Sequence, residues 1–139
     1  MFAHFHPEST DPIKSEVETW NVSACPMSSA ALVPDKAGPL GAWETAGKLN
    51  VAWLTEPSGS PLTLAEKDAK HPAIASDGQG AWLVAWVEGT GWNRGGRAAW
   101  KELDRALAPR SETGHAEDVP AWGRVAVFAE GPGKFVLLN

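Results

Sequence analysis

Apolar and polar residues alternate in short runs along most of this chain, and clusters of Gly, Pro and Asp separate the runs. Short alternating runs between turn-forming residues predict β-strands. The clearest run, residues 81–88, reads AWLVAWVE, and both faces of the strand that it predicts are apolar. A strand that is apolar on both faces is covered on both sides, so we expect stacked sheets.

A tryptophan-centred motif occurs twice within this pattern. Residues 31–44 read ALVPDKAGPLGAWE, and residues 73–88 read AIASDGQGAWLVAWVE. The step from Trp43 to Trp86 is 43 residues. A repeat of this length, built from short strands and turns, is typical of the blades of a β-propeller.

The predicted strands fall into three units. The first unit covers about residues 28–70, with strands at 30–33, 40–45 and 49–54 and a weak fourth strand at 62–65. The second covers about residues 71–109, with strands at 73–76, 81–88 and 97–103 and a fourth at 105–108. The third, about residues 120–139, shows only two strands, at 125–129 and 134–138.

We therefore expect an all-β fold, a partial β-propeller-like domain over residues 20–139 with two antiparallel blade-like sheets plus an incomplete third. Residues 1–19 lack a period and are predicted to form an N-terminal arm. Closed propellers use about four to eight blades, and an incomplete sheet leaves backbone groups unpaired. Strands from the segment around Trp20, further copies of this chain or another protein are three alternative ways to cover that sheet.

Composition narrows the classes of partner. The 139 residues are 43% hydrophobic and 21% charged, which is the balance of a globular domain. The net charge of −5 argues against nucleic acid or an anionic membrane surface as the partner. No apolar run reaches the roughly 18 residues of a membrane span. The single cysteine, Cys25, excludes an internal disulfide and a thiolate zinc site, and we interpret it as a buried, unreactive thiol.

Four parts of the sequence carry a resemblance to a known family. They are residues 20–29 (WNVSACPMSS), 41–45 (GAWET), 71–86 (HPAIA and LVAW at its two ends) and 133–138 (GKFVLL). From about Trp20 onward, the chain resembles the later blades of bacterial sialidase-like β-propeller proteins of the BNR type. The resemblance implies propeller blades and favours a periplasmic or secreted location, although no signal peptide is visible before Cys25.

The chain departs from that family at the residues that carry its chemistry. A sialidase Asp-box reads Ser-x-Asp-x-Gly-x-Thr-Trp, whereas residues 76–82 read SDGQGAW, with Asp directly after Ser. The family's catalytic apparatus uses an arginine triad, a tyrosine nucleophile and its acidic partner. Because this sequence has eight tryptophans but no tyrosine, sialidase activity does not carry over to it.

The best candidate for a binding site is the predicted hairpin of the second unit and the residue that follows it. Trp92, Arg94 and Arg97 place one indole and two guanidinium groups within six residues. These groups can stack on a ligand and hold a carboxylate or a sugar acid. The alternative interpretation is a hairpin whose arginines serve solubility and whose tryptophan packs on its own blade.

Other polar residues are weaker candidates. Glu44 and Glu88 follow the repeated tryptophans, and paired carboxylates are able to do acid–base chemistry. Their recurrence in both units favours a structural role instead. His4 with His6, and His115 with the two acidic residues after it, are interpreted as solvated groups on a tail and a loop. The sequence predicts no metal site, no cofactor and no catalytic residue.

The expected function follows from the incomplete third unit and the missing catalytic set. We expect a non-catalytic protein-interaction module, an accessory or structural subunit of a larger assembly that docks through open sheet edges and Trp-rich faces. Its partner is another protein or further copies of this chain. The alternative is a carbohydrate-binding, sialidase-like propeller fragment that holds a glycan at Trp92, Arg94 and Arg97. A residual hydrolase is the third and weakest hypothesis.

Overall fold

The computed structural model describes residues 2–4, 13–15, 29–55 and 60–139. These residues form strands and turns and no helix, which confirms the all-β prediction. The strands are β1 (Phe2–His4), β2 (Ile13–Ser15), β3 (Ala30–Val33), β4 (Leu40–Thr45), β5 (Lys48–Trp53), β6 (Leu62–Ala65), β7 (Ala69–Ser76), β8 (Ala81–Glu88), β9 (Gly96–Asp104), β10 (Gly114–Val119), β11 (Ala126–Gly131) and β12 (Lys134–Leu138). None of the described residues forms a helix long and apolar enough to cross a membrane.

The strands build three antiparallel sheets in chain order, plus a two-stranded sheet of β1 and β2. The first sheet runs β3-β4-β5-β6, the second runs β7-β8-β9-β10, and the third consists of β11 and β12. All neighbouring strands are antiparallel, as expected for strands joined by short turns. The antiparallel sheets agree with the predicted fold class, and the second sheet extends from Ala69 to Val119, beyond the predicted residues 71–109.

Two parts of the chain differ from the sequence-based expectation. The fourth strand of the second sheet is β10, and residues 105–108 form a turn. Asp104 causes this difference, because its Oδ1 accepts hydrogen bonds of 2.8 Å from the backbone N–H groups of both Ala106 and Ala108. A side chain that binds the backbone two and four residues ahead favours a turn over a strand. The other difference lies in the expected irregular arm, where β1 and β2 pair. Trp20, Cys25 and His6 lie outside the described residues.

The second sheet lies between the other two, and β8 is buried from both sides. Its residues Trp82, Val84 and Trp86 pack into a core with the first sheet, which contributes Leu40 and Val51 among others. The opposite face of β8 forms a second core, which is made of Ala85, Val87, Ala98, Val119 and Val125 with Val127 and Leu137 of the third sheet packed against it. The prediction from the two-faced apolar run is therefore confirmed.

The first strands of the three sheets are neighbours in space. Strand β7 contacts β3 and β4 of the first sheet, and it also contacts β11 of the third. Tryptophans of the repeat lie in these packed layers: Trp43 is 9% exposed, Trp86 is 1% exposed, and Trp53 meets Trp82 edge-on with ring centroids 5.2 Å apart. Trp43 and Trp86 are therefore buried, and Trp53 is partly buried against the core.

The hairpins that follow the first strands tie successive sheets together. Asp35 and Asp77 occupy the same position of the repeated motif, and each carboxylate accepts the N–H two residues ahead, at 2.9 and 2.8 Å. Each carboxylate also reaches another sheet. Arg105, in the turn after β9, donates to Asp35 at 2.7 Å, and Gly133, in the turn between β11 and β12, donates its N–H to Asp77 at 3.0 Å. Burial alone would raise the pKa of Asp77, but the backbone hydrogen bonds that it accepts hold that pKa below its usual value.

Candidate functional site

The β8–β9 hairpin, which carries the predicted binding residues, is held in shape by its own backbone. The N–H of Gly91 donates to the carbonyl of Arg94 at 2.9 Å, and the reverse bond is 3.4 Å long. Thr90, which is buried, donates its hydroxyl to the same Arg94 carbonyl at 3.4 Å. Residues 92 and 93 therefore form a tight two-residue turn at the tip.

Trp92 stands at that tip and is the most exposed large apolar side chain of the described residues, at 76%. Its ring meets the ring of Trp122 at 77°, with centroids 4.8 Å apart. The backbone N–H of Trp122 in turn donates to the hydroxyl of Thr90 at 3.0 Å. The loop around Trp122 thus supports the exposed indole from one side and leaves most of its surface in solvent. The alternative interpretation was that this tryptophan packs on its own blade. Trp92 instead contacts Trp122 and leaves most of its surface in solvent.

The two predicted arginines have different partners. Arg97 is committed to Glu88, because its Nε and a terminal nitrogen lie 2.9 and 2.8 Å from Oε2 of that carboxylate. Trp86 donates its indole N–H to Oε1 of Glu88 at 3.0 Å. Arg94 uses only Nε, which donates to the carbonyl of Gly89 at 2.7 Å. Of these two arginines, Arg94 is therefore the one whose terminal nitrogens have no partner among the described residues.

A cleft of about 750 Å³ lies beside this hairpin, between the turn that links the first and second sheets and the outer part of the second sheet. Both arginines and Glu88 line it, and so do Lys67, Asp68 and Glu117. Trp92 does not line the cleft. The structure thus separates the predicted trio: Arg94 and Arg97 share the cleft, whereas Trp92 forms a separate surface with Trp122.

Glu44 and Glu88 do not occupy equivalent positions. Glu44 comes directly after Trp43, whereas Glu88 comes two residues after Trp86, so the two carboxylates point to opposite faces relative to the repeated tryptophan. Glu44 is 6% exposed and accepts the N–H of Gly47 at 2.9 Å, which closes its own hairpin. Both carboxylates therefore accept hydrogen bonds from nearby residues of their own sheet.

A buried histidine that sequence reasoning missed lies where the first and second sheets meet. His71 is 8% exposed, and its backbone N–H donates to the hydroxyl of Ser29 at 3.0 Å. Its ring lies 6.1 Å from the ring of Trp122, and its Nε2 has no hydrogen-bond partner. Burial lowers the pKa of His71, and the positive charges of Arg124 and Lys70 lower it further, against the opposing effect of Glu44. The ring is therefore neutral at physiological pH.

The remaining histidine candidates are His115 and the pair of His4 and His6, of which His6 lies outside the described residues. Nε2 of His115 lies 4.0 Å from Oε2 of Glu88, at the limit of an ion pair. His4 belongs to β1, and the structure describes only its backbone. In the ranges that the structure covers, no three His, Cys, Asp or Glu side chains come close enough together to hold a metal ion.

Comparisons with protein-family models, with curated proteins and with solved structures find no match to this chain. Its function is therefore inferred from the residues and their arrangement.

Proposed function

We propose that this protein is a non-catalytic interaction module, an accessory or structural subunit that docks onto a protein through its third sheet. The observation that carries the proposal is the one-sided packing of β11 and β12. Val127 and Leu137 are paired across these strands and face the core of the second sheet. Phe128 and Leu138, on the opposite face, are 45% and 56% exposed. Exposed apolar side chains grouped on one sheet face mark a docking surface.

In this proposal, the three sheets are blades of a β-propeller-type array. Two of them are four-stranded antiparallel meanders, which is the form of a propeller blade. The first strands meet in sequence, since β3 contacts β7 and β7 contacts β11. Stacked repeats bury one another's faces, so a sheet that packs against a neighbour on one side only retains an uncovered face.

The docking surface also has an edge. Among the described residues, β12 pairs only with β11, so one row of its backbone N–H and C=O groups has no strand partner there. Such an edge binds a strand from another chain. The cross-strand pair of Phe128 and Val136 supplies apolar contact next to that edge. A partner that fits this surface presents an apolar sheet face and a free strand.

Light scattering and dye binding test the proposal on the full chain. We expect a concentration-dependent mass above the 14.8 kDa of one chain, or strong binding of a hydrophobic dye to a monomer. Phe128→Asp is expected to remove either signal, and the matched Phe128→Leu variant is expected to keep it. Trp92→Ala, which changes an exposed apolar side chain elsewhere, controls for general surface effects. A monomer whose dye binding is the same with and without Phe128→Asp contradicts the proposal.

A specific observation also favours the second candidate, carbohydrate binding. The Trp92 indole is exposed and meets a second indole at 77°, which leaves an aromatic face free to stack on a sugar ring. Arg94 stands two residues away with terminal nitrogens available for a carboxylate, whereas Arg97 is bound by Glu88. Binding of sialic and uronic acids on a glycan array is expected to fall with Trp92→Ala and Arg94→Gln. It is expected to change less with Arg97→Gln, and an array without any binding rules this candidate out.

A further inference from the structure

The cleft beside the β8–β9 hairpin carries charged side chains of both signs, and some of them neutralise one another. Glu88 is bound by Arg97 at 2.8 Å, and Glu66 is paired with Lys48 at 3.0 Å. The charged side chains of the cleft that form no ion pair with any described residue are Lys67, Asp68, Arg94 and Glu117. Two of these are positive and two are negative, so the cleft suits neither a polyanion nor a polycation.

Two of these four residues meet at one backbone position, Gly89, which also lines the cleft. The carbonyl of Gly89 accepts a hydrogen bond of 2.7 Å from Nε of Arg94. The N–H of Gly89 donates to the carbonyl of Asp68 at 3.0 Å. A guanidinium group that binds anions and a carboxylate that binds cations are therefore both attached to the same point of the cleft wall.

The backbone around Gly89 is fixed by the fold. Asp68 has a φ of 59°, in the left-handed region that Asp adopts more readily than most residues, and the next N–H, that of Ala69, donates to the carbonyl of Gly47 at 2.9 Å. Gly89 has a φ of 74°, and the space that a Cβ would occupy there is open. A ligand can therefore approach this backbone closely, and groups that are already in place bind it at a lower entropic cost.

We infer that this cleft binds a free α-amino acid, with its carboxylate on Arg94 and its ammonium group on Asp68. An α-amino acid carries its two opposite charges on one carbon atom, which matches two opposite charges held at one backbone position. The terminal nitrogens of Arg94 form a planar fork that fits a carboxylate. The Asp68 carboxylate accepts hydrogen bonds from an ammonium group. This site is separate from the third sheet, so the inference does not depend on the proposed function.

The rest of the cleft favours an amino acid with a polar side chain. Its volume of about 750 Å³ leaves room beyond the charged head group of the ligand. Lys67 supplies hydrogen-bond donors and Glu117 supplies acceptors for the remainder of the ligand. A side-chain amide carries both an acceptor and a donor, so it complements this pair. L-glutamine is therefore the first compound to test.

A nuclear magnetic resonance titration of the full chain measures this binding. We expect L-glutamine to shift the backbone amide signals of Gly89 and Asp68 and the Nε–H signal of Arg94, with saturation as the ligand is added. L-serine, L-lysine and L-glutamate, which share the head group, are titrated in the same way. Absence of a saturable shift at these signals with all four amino acids overturns the inference.

Two analogues test the head group. N-acetyl-L-glutamine lacks the ammonium group, and L-glutaminamide lacks the carboxylate. Each is expected to bind about tenfold more weakly than L-glutamine or worse, because each loses hydrogen bonds between charged groups. If either analogue binds as tightly as L-glutamine, the assignment of the two charges is wrong.

Two variants test the protein side. Arg94→Gln and Asp68→Asn are each expected to weaken L-glutamine binding about tenfold or more. Asn is chosen at position 68 because it also tolerates the left-handed backbone. Arg110→Gln is the matched control, since Arg110 is an exposed arginine that pairs with Glu102 outside the cleft, and it is expected to leave the affinity unchanged.

Circular dichroism and unchanged amide signals in the other two sheets establish that each variant is folded. Wild-type affinity in folded Arg94→Gln or in folded Asp68→Asn overturns the inference. The test is independent of the third sheet: a chain that binds no amino acid still gives the expected mass or dye result if the third sheet docks a protein. A chain that fails the mass and dye experiments still binds L-glutamine if the cleft is an amino-acid site.

Discussion

Two tryptophans on the same strand give a sharp test of how this core is stabilised. Trp82 and Trp86 lie four residues apart on one face of β8 and are 0% and 1% exposed. They differ at the indole nitrogen. Trp86 donates its N–H to Glu88 at 3.0 Å, whereas Nε1 of Trp82 is buried without a hydrogen-bond partner. Replacing each by Phe therefore removes a similar volume but opposite polar interactions.

The expected free energies of unfolding follow from those differences. The void left by the smaller ring costs about 1–2 kcal/mol at either site, below the roughly 3–5 kcal/mol of full truncation to Ala. Trp82→Phe also removes a buried N–H without a partner, which is worth about 1–3 kcal/mol in the other direction. Trp86→Phe instead removes a hydrogen-bond donor from the Glu88 carboxylate. This costs about a further 1–2 kcal/mol, and no more, because Glu88 still accepts a hydrogen bond from Arg97. We expect Trp82→Phe to lie between about 2 kcal/mol more stable and about 1 kcal/mol less stable than the wild type, and Trp86→Phe to cost about 2–4 kcal/mol.

Urea unfolding followed by far-ultraviolet circular dichroism measures both values, because the tryptophan fluorescence itself changes with the substitution. Equal denaturant slopes for the three proteins show that the same surface is exposed in each case. Trp82→Ala and Trp86→Ala serve as controls for burial, and both are expected to be strongly destabilised. Equal losses for the two Phe variants would refute the view that the indole N–H distinguishes these positions.

Three further outcomes follow from the described contacts. Because the pKa of buried His71 is lowered, its contribution to stability is present above about pH 6.5 and is lost as the pH falls through its lowered folded-state pKa; urea titrations across this range test it, with His71→Asn expected to flatten the dependence. Asp77→Asn keeps an acceptor for its own turn but loses the one for the Gly133 N–H, so chemical unfolding is expected to show a loss of about 1–2 kcal/mol, and an unchanged midpoint would contradict the link between sheets. Gly114→Ala places a Cβ against the Trp100 ring with no room for it, so a lower melting temperature and altered near-ultraviolet circular dichroism are expected, whereas a native-like spectrum would show that the ring moves freely.

Local sequence determined most of the strands. The alternation of residues 81–88, and the turn residues on either side of it, predicted β8 at the bounds it has in the structure. The strands around Trp43 and those of the third unit were also predicted close to their final positions. This success has a physical reason, since the strands are short and their turns are closed by nearby residues such as Asp77.

The prediction of the fourth strand of the second sheet was wrong because the sequence pattern of the observed strand, β10, is weak. Residues 114–119 read GHAEDV, which has little β-propensity, whereas residues 105–108 are more apolar. Pairing with β9 decides the outcome, and the absence of a side chain at Gly114 makes room there for Trp100. That is a cross-strand condition that no local window contains.

The candidate site was predicted only in part. The sequence places Trp92, Arg94 and Arg97 within six residues, but it does not show which of them share a partner. Arg97 binds Glu88, nine residues earlier, and Trp92 meets Trp122, thirty residues later. For the contact between Trp92 and Trp122, the sequence offers only a tryptophan in a predicted loop, two residues after Pro120.

The sequence by itself determined the strand class, the repeat and the two-faced burial of β8, because these depend on the order of apolar and polar residues along the chain. Only the tertiary structure decided which residues of different sheets contact one another. It joins Gly133 to Asp77 across 56 residues and His71 to Ser29 across 42, and it leaves Phe128 on an uncovered face. Contacts between sheets depend on how the layers stack, and a residue's own neighbours in sequence carry no information about that.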